Sequence, residues 1–111
     1  MEQTLESKLF NFGYAIGLMK SGKAISRMGW NGNGLFIFMQ IPTEINSEII
    51  PKMQSLPESV KSIFACRTNE DLSIKPIKYS NQIAIVDTNN NISGWNPSVS
   101  DSLAEDWYEV N

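Results

Sequence analysis

The sequence predicts an α+β fold: an N-terminal helix packed on a small antiparallel β-sheet, with a short helical insertion in the middle. Three observations predict it. Apolar residues recur at helical spacing near the start of the chain, at Phe12, Ala15, Ile16 and Met19. Strand-like runs follow, "KAISRMGW", "LFIFMQI", "IKYSNQIAIV" and "DWYEV", separated by turn residues. Between them, residues 43–73 are more polar and hold Pro51 and Pro57. A chain of 111 residues suits one domain, 1–111, with 1–10 as a polar lead-in and 43–73 as the insertion.

Each element has a local reason. Asn11 is placed to cap the helix by accepting from backbone N–H groups two or three residues on. Leu18 falls just off the apolar stripe. Gly22 stops the helix, and Lys20 in the last turn suits the helix dipole. Gly13 and Gly17 each weaken it by up to about 1 kcal/mol against alanine, so glycines four apart suggest close packing on a sheet. In the first strand Ala24, Ser26 and Met28 face one way, Ile25 and Arg27 the other. "WNGNG" is a turn, because Asn-Gly supplies positive φ angles. "LFIFMQI" is apolar on both faces, which fits a central strand ended by Pro42. In the insertion, Ile45, Ile49 and Ile50 have helical spacing, and Pro57 opens a second short helix, "PESVKSIFA"; one or two short helices are expected to pack on the sheet edge. "IKYSNQIAIVDTNNNISGW" reads as a hairpin, with Ile83, Ile85 and Asp87 on one face and Gln82, Ala84 and Val86 on the other. "TNNN" supplies its turn, since asparagine tolerates the left-handed region. "NPSVSDSLAED" is a loop with a helical turn at its end, and "DWYEV" is the last strand.

Composition removes several function classes. The chain has no histidine, which takes away the commonest general base, the histidine-activated nucleophiles and most zinc sites. The single cysteine, Cys66, cannot form an intrachain disulfide and fits a reducing compartment as a small buried hydrophobe. No apolar run approaches the roughly 20 residues that span a bilayer. "MEQTLESKLF" lacks the apolar centre of a signal peptide, so a cytoplasmic location and no membrane partner are expected. With a net charge of −3, the chain is a poor partner for duplex nucleic acid. Among the acidic pairs, Glu105 and Asp106 would point to opposite faces of a strand, and Glu70-Asp71 reads as solvated. "SGK" at 21–23 lacks the upstream glycine and the following hydroxyl of a phosphate loop. Met19, Met28, Met39 and Met53 read as core filler. No catalytic residue, metal ligand or cofactor is expected, and the chain is not read as an enzyme.

The tryptophans carry the positive signal. Trp30 and Trp95 share a context, "GWNG" and "GWNP", with glycine before and asparagine after. Glycine leaves the ring face uncrowded, and Asn31 or Asn96 offers a donor and an acceptor. Two such rings can wall in a flat heterocycle, at roughly 1–3 kcal/mol per stacked base. The plainer alternative is a hydrophobic lid on a small core, with both asparagines serving their turns. Trp107 belongs to the core. Arg27 is either a bidentate holder of a phosphate or carboxylate, or one half of a surface ion pair.

These residues carry a resemblance. "NFGYAIGLMKSGKAISRMGWNGNGLFIFM" together with the late "GWNPSVSDSLAEDWYEV" resembles the Thoeris anti-defence protein 2 family of phages and prophages. The family pattern is present at Phe12-Gly13, Lys23, Arg27, Gly29 to Gly32, Trp95 and Ala104 to Trp107. It covers both ends, roughly residues 11–41 and 83–110, while the middle does not align. The resemblance implies a homo-tetrameric sponge that binds a cyclic ADP-ribose-type signal without cleaving it, so that the Thoeris effector is never switched on. It also implies that some members take up cyclic oligonucleotides at a separate site. Carried over by motif, Trp30 and Trp95 flank adenine and ribose, Asn31 lies at the pocket mouth, Leu35 or Phe36 stands at an apolar pocket position, and Asp106 serves ribose hydroxyls or pins the last strand. Arg27, Arg67, Lys75 and Lys78 are candidate phosphate partners, and a symmetric interface could supply some of them from a second protomer. Two other classes compete: a phage structural or host-interaction protein with the tryptophan turns as contact hot spots, and, ranked last, a phosphodiesterase using acids and a metal.

Overall fold

The computed structural model describes residues 9–30 and 34–110. Among the described residues there are seven strands, β1 (Ala24–Arg27), β2 (Phe36–Met39), β3 (Thr43–Ile45), β4 (Ile77–Tyr79), β5 (Ile83–Val86), β6 (Ile92–Gly94) and β7 (Trp107–Val110), and three α-helices, α1 (Phe12–Lys20), α2 (Glu58–Ala65) and α3 (Val99–Leu103). The chain falls into two compact units, one formed by residues up to Gln40 and from Asn81 onward, the other by Ile41–Ser80.

The first unit is an antiparallel sheet of order β6-β5-β2-β1-β7 with α1 on one face. α1 starts where Asn11 caps it: the side-chain oxygen accepts from the Tyr14 N–H at 2.8 Å. It ends at Ser21, and Gly22 turns the chain away with φ +98°, a value that side chains disfavour. Ala15 and Met19 are buried against the sheet, with Phe12, Ile16 and also Leu18 packed around them. The two helix glycines do not mediate close packing. A Cβ on Gly17 would meet nothing within 4 Å, and one on Gly13 would meet only the Asn11 amide oxygen at 3.6 Å.

Register explains the core. Ile25 pairs with Ile37, Ile37 with Ile85, and Arg27 with Trp107. Opposite residues in an antiparallel pair share a face, so Ile25, Ile37, Ile85 and Trp107 lie together under α1. Ile25, Ile37 and Trp107 are fully buried there, each large apolar side chain contributing about 1.5–3 kcal/mol. Ser26, Phe36, Phe38, Ala84, Val86 and Tyr108 occupy the other face by alternation. The central position of β2 and its two apolar faces follow the sequence reading. So does the β5–β6 hairpin, where Asn90 takes the left-handed conformation with φ +63°. The Asp87 carboxylate accepts from the N–H groups of Asn89 and Asn91 and fixes that turn. Phe10 adds one bridge to the sheet by exchanging backbone hydrogen bonds with Trp107.

The second unit departs from expectation. It begins and ends with strands: β3 and β4 pair as an antiparallel ribbon, Thr43 with Tyr79 and Ile45 with Ile77. A 3-10 turn at Ile50–Lys52 and α2 lie between them. Pro57 stands at the N-cap of α2, as its fixed φ allows. The segment read as residues 43–73 therefore spans 41–80. Ile45 belongs to a strand rather than a helix, and "IKY" pairs with β3 rather than joining the β5–β6 hairpin. Three-residue strands are too short to show a period-2 pattern. Among the described residues, no helix is long and apolar enough to cross a membrane.

Candidate functional site

At the end of β1 the chain tightens into a 3-10 turn, Met28–Trp30, and this turn folds Trp30 back toward the sheet. Its indole meets the face of Trp107 with centroids 5.3 Å apart and planes at 81°. Trp95 follows β6, held where its N–H donates to the Ile83 carbonyl at 3.0 Å. It meets both other indoles edge to face, at 6.2 Å. Phe12 of α1 closes the cluster against Trp107 and Trp95. Trp107 is thus the buried centre, while Trp30 and Trp95 are half-buried and keep part of their surfaces open. Edge-to-face contact is the favoured arrangement of aromatic quadrupoles. With planes at 77°, Trp30 and Trp95 stand edge to face rather than parallel.

An ion-pair network fastens this cluster. Arg27 Nε donates to Asp106 Oδ1 at 2.9 Å, and Arg27 Nη1 donates to Asp101 Oδ1 at 2.8 Å. The Gly29 N–H donates to Asp106 Oδ2 at 2.7 Å. Asp101 Oδ2 accepts from the Ser98 N–H, while Ser98 Oγ accepts from the Asp101 N–H, a reciprocal capping box at the start of α3. Trp107 Nε1–H donates to the Asp101 carbonyl at 3.1 Å, and the Arg27 guanidinium lies 5.8 Å from the Trp107 ring. Burial alone would raise the Asp101 and Asp106 pKa values. The backbone N–H of Ser98 and the Arg27 guanidinium outweigh it at Asp101, and Arg27 and the Gly29 N–H outweigh it at Asp106, so both carboxyls are held below the usual range. Gly29 serves this network: a Cβ there would sit 2.9 Å from Arg27 Nη2 and 3.0 Å from Asp106 Oδ2. A Cβ on Gly94 would meet nothing within 4 Å, so the two matching Gly-Trp pairs have different physical causes.

The structure brings Arg27, Trp30, Trp95 and Asp106 together. Asn96 is exposed beside Trp95. Leu35 is half-buried just before β2, its carbonyl accepting from Ser26 Oγ at 2.7 Å. Phe36 pairs with Val86 on the sheet face opposite the cluster. Asn31 lies outside the described residues. Asp101 was not singled out in the sequence, although Ser98-x-x-Asp101 has capping-box spacing. Phe12 and Trp107, which the sequence marks as core and as part of the family pattern, also build the cluster. Of the cationic candidates, Arg67, Lys75 and Lys78 belong to the 41–80 unit, where Lys75 and Lys78 line an open groove of about 590 Å³ with Phe64 and Asn69. Among the described residues, no group of three His, Cys, Asp or Glu side chains is placed to hold a metal ion.

The fold is α+β, a five-stranded antiparallel sheet with α1 on one face and a separate two-stranded ribbon, and the sheet unit carries the indole cluster on its ion-paired base. The chain belongs to the Thoeris anti-defense 2-like family, whose model matches residues 10–110. The match runs through the middle segment, which had not aligned in the sequence reading, so 41–80 is part of the family domain. A protein of Bacillus phage SP01, named Thoeris anti-defense 2, is 31% identical over 97 residues, covering 87% of this chain and 90% of that one. Membership supports a role in countering Thoeris defence.

Proposed function

We propose that the protein is a phage anti-defence sponge: it captures a cyclic ADP-ribose-type signalling nucleotide, holds it uncleaved in the host cytoplasm, and so keeps the Thoeris effector inactive. The observation that carries this reading is the family match over residues 10–110, within which both tryptophan turns converge on one cluster. The adenine would stack on an outer indole face, with Asn96 exposed beside Trp95 to meet its edge and Asn31 as the motif's second candidate polar contact. One stacked base contributes roughly 1–3 kcal/mol, whereas nanomolar capture requires about −12 kcal/mol. The remainder calls for phosphate contacts and a preorganised site. A homo-tetramer supplies both, by setting cations of a second copy against the indoles of the first. A sponge needs no general base, which is compatible with a chain that has no histidine.

Incubating the purified protein with a cyclic ADP-ribose isomer, denaturing it by heat and analysing the released molecule by mass spectrometry tests this. Recovery of the unchanged isomer is expected; recovery of a cleaved product, or no uptake, overturns the reading. Trp30→Ala and Trp95→Ala should each abolish uptake while the far-UV circular dichroism stays that of the wild type.

A further inference from the structure

We infer that Arg27 and Asp106 are positioning residues, two parts of a brace that sets the two tryptophan turns relative to each other, and not contacts to a ligand's phosphates. Its functional consequence rests on the nucleotide-binding reading above. The Arg27 side chain is 16% exposed, and its two carboxylate partners are 13% and 29% exposed. Asp101 gives one oxygen to the guanidinium and the other to the Ser98 N–H; Asp106 accepts from Arg27 Nε on Oδ1, and its Oδ2 accepts from the Gly29 N–H at 2.7 Å and from Arg27 Nη2 at 3.5 Å. Asp106 thereby holds Gly29, the residue before Trp30; Asp101 holds Ser98, in the turn that follows Trp95. One planar fork thus joins the backbone of the first tryptophan turn to that of the second. The floor of the cluster is tied to the same brace, because Trp107 donates to the Asp101 carbonyl.

Charge argues against a phosphate contact at this place. One guanidinium faces two carboxylates, so the trio carries a net negative charge, and an approaching phosphate meets like charge. Arginine suits the brace because its rigid fork engages both acids at once, which the point charge of a lysine cannot do. The cations a phosphate-bearing ligand requires would then come from elsewhere on this chain or from a second copy.

Arg27→Lys tests the brace, since it keeps the charge and loses the fork. The variant is compared with the wild type by far-UV and near-UV circular dichroism and by binding of two probes, adenosine and ADP-ribose. A brace predicts unchanged far-UV signal, a weakened near-UV signal from the edge-to-face indoles, and loss of affinity for both probes by the same factor, carried by faster dissociation. Loss of ADP-ribose binding with adenosine binding intact would make Arg27 a phosphate contact and overturn the inference. Unchanged near-UV signal together with unchanged binding would overturn it equally. Asp106→Asn removes one arm with little change of shape and is read the same way if the lysine variant fails to fold. If the wild type takes up neither probe, the near-UV comparison alone decides the brace, and the nucleotide reading is decided by uptake of the cyclic ADP-ribose isomer.

Discussion

At the scale of single residues, the glycines show how space and conformation separate. Gly17 is exposed in the middle of α1, with open space where a Cβ would go. Gly17→Ala is therefore expected to stabilise the protein, by up to about 1 kcal/mol. Gly29→Ala is expected to do the opposite. Its Cβ would press on Arg27 Nη2 and Asp106 Oδ2, the ends of side chains that would be free to move were they not locked to each other. A cost of about 1–3 kcal/mol is expected, as for other overpacked sites. Urea unfolding of the two variants, followed through tryptophan fluorescence, checks both signs in one experiment. Trp107 sets the upper end of the scale. It is fully buried, touches Trp30, Trp95 and Phe12, and satisfies its N–H on the Asp101 carbonyl. Trp107→Ala should cost about 3–5 kcal/mol. These residues also mark what a sequence can reveal at this scale. The repeated Gly-Trp-Asn pattern pointed to Trp30 and Trp95. It did not show that one glycine makes room for an ion pair and the other does not, because the atoms concerned lie 77 and 79 positions along the chain.

At the scale of elements, legibility followed length and capping. α1 carries an N-cap, an apolar stripe and a glycine stop, three independent signals that agree. β2 and β5 are runs of four apolar residues and were readable as strands. β3 and β4 have three residues each and no pattern to detect. α3 has five residues and no apolar stripe; its only mark is the Ser98–Asp101 box, whose one acid also serves Arg27. Ser98→Ala should therefore cost about 1 kcal/mol. The network gives α3 a pH dependence whose sign can be worked out. Asp101 and Asp106 have folded-state pKa values below their ordinary range. Groups of this kind contribute stability that is present above the unfolded carboxylate pKa, about 3.9, and is lost as pH falls through the lower folded value. The urea midpoint should thus hold from neutral pH down to about 5 and fall below about 4. Replacing both acids by asparagine should lower stability at pH 7 and flatten that acid-side fall. A fall of undiminished steepness in the double variant would place the acid sensitivity in other carboxylates.

At the scale of the whole molecule, the two units are unequally built. Among the described residues, the sheet unit buries Ala15, Met19, Ile25, Ile37, Ala84, Val86 and Trp107, whereas the 41–80 unit buries only Ile50 and Ile77 as apolar side chains. Forty residues with so small a core, a lone free cysteine and no metal-ligand cluster among the described residues fall below what usually folds unaided. The sheet unit has no such deficit, and its chain ends at the excision point are already side by side. β2 and β5 are antiparallel neighbours whose last pair is Met39 with Ile83, and the Gln40 N–H donates to the Gln82 carbonyl at 2.8 Å just beyond it. Joining Gln40 to Gln82 through a two-residue Asn-Gly turn would close these strands as an ordinary hairpin. The expected product is a folded chain whose near-UV signal matches the wild type, because all three tryptophans lie in the retained unit. An isolated 41–80 peptide is expected to show the far-UV spectrum of an unfolded chain. An unfolded product would mean that the sheet depends on the segment that connects β2 to β5 along the chain.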